Sequence, residues 1–207
     1  MPVSPKHKLI FTHIPKTAGQ SIETSLGIFN ERQGHFFKEY VYGSRPKADT
    51  PTHFTINQIK QHITQEQFDN YTKFSVIRNP FDKMVSEFAF KGNNGFIVLQ
   101  PTFKEFIKEL YSKFSNLDSA THFAACHYMP QYDFVHIKDK MVMDHLIRFE
   151  NLENDLKEKI DLKIPHCNSR PRNPWSSYYD EATADMVREM YAKDFEAFGY
   201  DLLIHPL

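Results

Sequence analysis

The stretch Phe11-Thr-His-Ile-Pro-Lys-Thr-Ala-Gly-Gln-Ser21 predicts a strand, a tight loop and the first turn of a helix. Residues 8–14 form the first strand candidate because they are rich in apolar side chains and Pro15 ends them. A helix is expected from about residue 20 to residue 26, where Gly27 provides a stop. A strand, a loop and a helix in this order begin an α/β unit.

The loop within this stretch contains the residue types of an anion-binding turn. Backbone N–H groups at a helix N-terminus are unpaired and can bind phosphate. Lys16 adds a positive charge, Gly19 allows close approach of the backbone, and Thr17 and Ser21 offer hydroxyl groups. An ordinary strand-to-helix turn with a solvated lysine is compatible with the same residues, and both interpretations stay open at this point.

A second strand is predicted over residues 73–78, followed by the helix opening Asn79-Pro80. Arg78 would lie at the carboxyl end of this strand, where ligands bind in open α/β sheets. Ser86 would lie about two turns into the helix, so that a guanidinium and a hydroxyl group could converge on one phosphate. Pairing of Arg78 with a carboxylate such as Asp82 is the competing interpretation.

Other local signals extend this alternation of strands and helices along the chain. They are capping boxes at Thr55, Thr64 and Thr102, a long excursion over 28–51, a strand over 146–149, a helix capped by Asn151, a loop over 165–177 and one long helix from Asp180 to Gly199. Strands that alternate with helices predict an α/β fold with a mainly parallel sheet.

The composition limits the class of protein. The chain has 207 residues, of which 41% are hydrophobic, so one folded domain is expected over residues 1–207. The net charge of −1 argues against a broad nucleic-acid or polybasic membrane surface. The seven glycines form neither a Rossmann nor a Walker A pattern. The chain has two cysteines, no apolar run long enough to span a membrane and no signal-peptide pattern. These features predict a cytoplasmic location.

The two motifs together resemble the carbohydrate-type sulfotransferases, the group of heparan sulfate 2-O-sulfotransferase and its small bacterial relatives. The resemblance continues in the expected order through His127-Tyr-Met-Pro-Gln131, Arg148-Phe-Glu-Asn-Leu152 and Tyr191-Ala-Lys-Asp-Phe-Glu-Ala-Phe-Gly-Tyr200. It implies a P-loop-like three-layer α/β fold, with a mainly parallel central sheet flanked by helices. It also implies the sulfuryl donor 3′-phosphoadenosine 5′-phosphosulfate.

The resemblance also implies which residues bind this donor. The 5′-phosphosulfate would be cradled by the loop residues Lys16, Thr17, Ala18, Gly19, Gln20 and Ser21. Arg78 and Ser86 would hold the 3′-phosphate, and a loop that includes Ser169 and Arg170 would close over the nucleotide. No metal is expected, because the chain has neither an HExxH motif nor paired CxxC motifs.

Sulfuryl transfer to a hydroxyl group requires a base, and histidine suits this role because its pKa lies near neutrality. His53 resembles the family's histidine at this place and is the predicted base, with Glu87 as a second candidate and His13 as a packed neighbour. Lys16 would stabilise the leaving phosphate. The predicted acceptor is a hydroxyl group of a sugar or glycan.

Two other functions are compatible with parts of the sequence. A P-loop-type nucleotide-dependent kinase would share the fold, but the chain has no Walker A motif. A non-catalytic nucleotide-binding module would share the phosphate loop, but it would not need the predicted base His53.

Overall fold

The structure is a computed structural model that describes residues 3–30, 35–36, 51–93, 102–116, 125–164 and 172–204. The chain divides into two compact units, and each consists of two separate segments. The first unit comprises residues 1–77 and 119–169, and the second comprises residues 78–118 and 170–207. The expectation of a single domain over 1–207 stays a prediction.

Strands and helices alternate along the described part of the chain. Its strands are β1 (Val3–Ser4), β2 (Leu9–Thr12), β3 (Phe29–Asn30), β4 (His35–Phe36), β5 (Thr72–Ile77), β6 (His136–Ile137), β7 (Lys140–Met141) and β8 (His145–Arg148). Its helices are α1 (Gly19–Ser25), α2 (Ile56–Gln61), α3 (Gln65–Asn70), α4 (Pro80–Asn93), α5 (Phe103–Lys113), α6 (Ala125–Tyr128), α7 (Gln131–Val135), α8 (Leu152–Ile160), α9 (Glu181–Met190) and α10 (Ala192–Phe198).

The first unit is built around a four-stranded sheet with the strand order β1-β2-β5-β8. Strands β2, β5 and β8 run parallel, and β1 pairs antiparallel with β2 at one edge. Phe11 lies opposite Phe74, and Val76 lies opposite Ile147. The prediction of a mainly parallel sheet is therefore confirmed.

Helices cover both faces of this sheet. Ile10 and Phe11 are adjacent in β2, so their side chains point to opposite faces. On the side of Phe11, buried residues of the strands pack with Ile22 of α1 and Leu156 of α8. On the side of Ile10, the strands pack with residues of α2 and α3. Full burial of each large apolar side chain contributes about 1.5–3 kcal/mol, and the first unit has the three-layer arrangement expected from the sequence.

The described part of the second unit is built from helices. Helix α5 packs against α4 and α9. The Phe88 ring of α4 lies 5.5 Å from the ring of Phe103 and 5.6 Å from the ring of Phe106, centroid to centroid. Phe88, Phe103 and Phe106 therefore pack together, as their helical spacing indicates, whereas Phe90 of the same helix α4 is 40% exposed. No helix in the described ranges is long and apolar enough to cross a membrane.

The predicted capping boxes are confirmed at the N-termini of α2, α3 and α5, and Asp180, predicted to cap the last helix, forms a further capping box at the start of α9. At the start of α2, for example, the Thr55 hydroxyl accepts a hydrogen bond from the N–H of Gln58. The Gln58 side chain in turn accepts a hydrogen bond from the N–H of Thr55. These reciprocal bonds satisfy donors that a helix leaves unpaired, and they fix its first residue.

Several local predictions are wrong. The expected long helix after Asp180 is two helices, because Tyr191 leaves helical geometry at φ −116° and ψ 26°. Asn151 lies at the N-cap of α8, but its side chain makes no capping bond, because its Oδ1 accepts from the side-chain amide of Asn154 instead. Residues 175–178 form a 3₁₀ helix within the predicted loop. Most of the excursion over 28–51 lies outside the described residues.

Candidate active site

The loop between β2 and α1 has an unusual backbone conformation. Lys16 and Ala18 both have left-handed backbone angles, with φ values of 66° and 65°. For residues that carry a Cβ atom, this conformation costs about 1–2 kcal/mol each. Strain of this kind clusters at functional sites, where the surrounding structure maintains it. The strained backbone favours a functional loop, and anion binding at this loop stays a prediction.

Backbone donors are available in this loop. The Thr17 hydroxyl donates to the backbone carbonyl of Ile14 at 2.8 Å, so its proton is engaged within the chain. Within the described residues, no backbone hydrogen bond accounts for the N–H groups of Thr17, Ala18 or Gly19. Such N–H groups next to a lysine suit a phosphate or sulfate oxygen. Ser21 is buried in the first turn of α1.

Gly19 is required in this loop for packing. A Cβ atom at this position would lie 1.8 Å from Nε2 and 2.0 Å from Cδ2 of His13. The imidazole of His13 therefore occupies the space that any other residue at position 19 would need. The sequence suggested close approach to an anion as the reason for this glycine, and the structure adds close approach to His13.

Three histidines lie together in the first unit, and His13, His53 and His127 are termed here the histidine group. The ring centroids of His13 and His53 are 4.5 Å apart, and those of His53 and His127 are 5.2 Å apart. They come from the end of β2, the 3₁₀ turn over 51–53 and α6. Among the described residues, no group of three or more His, Cys, Asp or Glu side chains is arranged to hold a metal ion.

The hydrogen bond of His53 determines which of its nitrogens can accept a proton. Nδ1 of His53 lies 3.0 Å from the backbone carbonyl oxygen of His13. A carbonyl oxygen only accepts, so Nδ1 must carry the proton, and in the neutral ring Nε2 keeps its lone pair. Burial lowers the pKa of His53 well below 6.5, and the charges of His13 and His127 lower it further. The neutral, proton-accepting form therefore predominates at neutral pH.

His13 is packed, as the sequence analysis predicted, and it has a partner that the sequence analysis missed. Its Nδ1 lies 2.8 Å from Oε1 of Glu23, and its ring stacks on Phe11. Glu23 follows Gly19 by four residues, so both lie on one face of α1. That spacing, together with a carboxylate between apolar positions of a short helix, is the signal that could have identified Glu23.

In the second unit, Arg78 is held by a carboxylate. Its Nε donates to Oδ2 of Asp82 at 2.7 Å, and Arg172 contacts the other oxygen of Asp82. The competing interpretation of Arg78, pairing with Asp82, therefore describes the observed contact. Two guanidinium groups share one carboxylate, so these three side chains together keep a net positive charge. Ser86 is half-buried in α4, and phosphate binding by Arg78 and Ser86 stays a prediction.

The remaining predicted residues have different surroundings. Glu87 is buried in the second unit, and its charge helps raise the pKa of Tyr191, behind burial and the charge of Asp194. Ser169 and Arg170 lie outside the described residues.

Comparison with known proteins assigns the family. A model of the sulfotransferase family matches residues 1–201. The chain belongs to the sulfotransferase family. No curated protein and no solved structure matches it. The region of this sulfotransferase that matches the family model includes both sequence motifs and the histidine group. The mainly parallel sheet of the protein, flanked by helices, agrees with a sulfotransferase fold.

Proposed function

We propose that this sulfotransferase moves a sulfuryl group from 3′-phosphoadenosine 5′-phosphosulfate to a hydroxyl group of a sugar or glycan, with His53 as the base. Family membership supports the reaction class. The observation that carries the assignment of the base is the bond from Nδ1 of His53 to the His13 carbonyl. That bond leaves Nε2 as the basic nitrogen of a neutral imidazole.

The chemistry required of the protein is proton removal, positioning and charge stabilisation. The acceptor oxygen forms a bond to sulfur while its proton moves to Nε2 of His53. The bond between sulfur and the 5′-phosphate oxygen breaks, and the electron pair stays on that phosphate. Lys16 and the loop N–H groups would stabilise the resulting negative charge.

The loop fits the proposed donor in its chemistry. Its available N–H donors and its lysine match the oxygens of a phosphosulfate group. We assign the 5′-phosphosulfate to Lys16 and the following residues up to Ser21. We assign the 3′-phosphate to Arg78 and Ser86, because a guanidinium fork and a hydroxyl group suit a phosphate dianion. Resemblance supports both assignments, and it also supports a nucleotide-binding role for Ser169 and Arg170.

Calorimetry with two nucleotides tests the donor assignment. Adenosine 3′,5′-bisphosphate, the product of the proposed reaction, is expected to bind more tightly than ATP, because only the former carries a 3′-phosphate for Arg78. Tight binding of ATP without binding of the bisphosphate would contradict the proposal and favour a kinase. Transfer of labelled sulfuryl groups to a panel of glycans and small alcohols would then identify the acceptor.

A further inference from the structure

Glu23 is a buried carboxylate for which the proposed reaction provides no direct role. Glu23 lies in α1 and is only 1% exposed. A buried carboxylate is costly unless it is paired and hydrogen-bonded. Its partner is His13, whose Nδ1 lies 2.8 Å from Oε1 of Glu23. His13 is itself only 5% exposed. The pair is therefore enclosed by protein and not part of a solvated surface.

His13 links this carboxylate to His53. The backbone carbonyl of His13 accepts the hydrogen bond from Nδ1 of His53, and the two rings meet edge to face. The His13 ring is held on its other sides by Phe11 and by the backbone of Gly19. A displacement of His13 would therefore change both the orientation and the surroundings of His53.

We propose that Glu23 is a positioning residue, whose carboxylate holds His13 so that His13 orients the imidazole of His53. The proposal deepens the function proposed above and rests on the assignment of His53 as the base. Residues that orient a metal ligand through a hydrogen bond typically change activity by about 10- to 100-fold when they are replaced, and we expect an effect of this size for Glu23.

The pair also has an electrostatic consequence for His53. The Glu23 carboxylate anchors the His13 ring against His53, and close packing of this kind disfavours the charged form of a buried imidazole. Burial is the main cause of the lowered pKa of His53, and the charges of His13 and His127 add to it. Neutralising Glu23 weakens the hydrogen bond that anchors His13, so His53 becomes less enclosed and its pKa is expected to rise.

Two substitutions separate position from charge. Glu23→Gln keeps an oxygen that accepts the His13 hydrogen bond but removes the negative charge, whereas Glu23→Leu removes both. We expect Glu23→Leu to lower kcat by about 10- to 100-fold, with the Kd of adenosine 3′,5′-bisphosphate little changed. We expect Glu23→Gln to retain most of kcat at its optimum, with the acidic limb of the pH profile moved to higher pH. Glu158→Gln, an exposed carboxylate in α8, is the matched control.

Several results would overturn the positioning role. It is wrong if folded Glu23→Leu keeps the parental kcat, or if it loses donor affinity as strongly as kcat, since Glu23 would then support only the donor loop. If Glu23→Leu does not fold, Glu23→Gln decides through its pH profile. The pH shift should also disappear when Glu23→Gln is combined with His53→Asn, and its persistence would contradict a route through His53.

A measurement that needs no activity separates this proposal from the proposed function. Nitrogen NMR of the histidines reports the tautomer and the pKa of His53 directly. We expect the pKa of His53 to rise in Glu23→Gln, and an unchanged value would overturn the proposal. Absence of sulfuryl transfer by the parent protein would instead refute the proposed function, while the NMR result would still test the link from Glu23 to His53.

Discussion

At the scale of single residues, His53 gives the most direct test of the proposed chemistry. Asparagine can place its amide N–H near the position of Nδ1, so His53→Asn keeps a donor for the His13 carbonyl and removes the base. We expect transfer to fall by about 10²- to 10⁴-fold. Binding of adenosine 3′,5′-bisphosphate, measured by calorimetry, should stay near the parental value.

A matched histidine controls for this substitution. His7 is exposed in the first unit, and His7→Asn is expected to leave both transfer and binding unchanged. Transfer by His53→Asn at the parental rate would show that another group removes the proton. An equal loss of transfer and nucleotide binding would assign His53 to the donor site instead.

His127 gives a second prediction, about pH. The pKa of His53 is lowered first by burial and then by the charges of His13 and His127. Because His53 must be unprotonated to act as a base, the acidic limb of kcat should lie below pH 6.5. His127→Asn removes one of the lowering charges, so the limb should move to higher pH. A limb that stays in place would mean that His127 does not act on His53.

Sequence reasoning identified single residues best where their roles follow from local chemistry. Thr55 and Gln58 were predicted as a capping box because three residues separate them, and both bonds are present. Glu23 was missed because its role depends on His13, which lies ten residues away and meets it only when α1 folds against the end of β2. Which nitrogen of His53 is basic likewise depends on a partner 40 residues away in the chain.

At the scale of elements, the loop before α1 depends on the absence of a side chain at Gly19. In Gly19→Ala, the new Cβ atom would overlap the ring of His13, which must move. We expect a loss of about 1–3 kcal/mol in the free energy of unfolding, measured by urea denaturation. We also expect a fall in kcat, because His13 orients His53.

A second alanine in the same helix controls for this prediction. The Ser25 hydroxyl is buried and has no hydrogen-bond partner among the described residues. Ser25→Ala should therefore leave stability unchanged or raise it slightly, since no hydrogen bond is lost. If Gly19→Ala were as stable and as active as Ser25→Ala, His13 would not be held as tightly as the structure indicates.

Prediction of whole elements succeeded at their starts and failed at interruptions. Capping chemistry fixes a first residue locally, so the starts of α2, α3, α5 and α9 were correct. The interruption at Tyr191 was missed because apolar side chains keep helical spacing through it. Tyr191 is buried and its hydroxyl contacts Met84, and no local pattern encodes such a tertiary contact.

At the scale of the whole molecule, the parallel sheet was predictable, but the pairing of its strands and the grouping of segments were not. Alternating strands and helices indicated a parallel sheet, and β2, β5 and β8 form it. Each unit, however, combines segments that are far apart in sequence. Val76 faces Ile147 across the sheet, and a period read along the chain cannot show such pairing. Net charge was similarly uninformative about Lys16, Arg78 and Arg172, because acids elsewhere cancel them.

The dependence of global stability on pH tests how the first unit is held together. Asp155 in α8 accepts hydrogen bonds from the Arg148 N–H, the Asn151 amide and the Lys159 ammonium group. Burial alone would raise the pKa of Asp155, but these bonds outweigh it and lower the pKa. A lowered pKa means that the carboxylate stabilises the folded state above its unfolded pKa of about 3.9 and that this contribution is lost as pH falls.

Asp155→Asn should therefore cost about 1–2 kcal/mol at neutral pH, and the difference from the parent should shrink as pH falls below about 4. Urea denaturation at several pH values measures both quantities. Asp69→Asn is the matched control, because Asp69 is exposed and, within the described ranges, its carboxylate bonds to the Gln65 side chain alone. A difference of equal size at neutral and acidic pH would mean that the shape of the side chain matters at position 155. In that case the charge that joins β8 to α8 would contribute nothing to global stability.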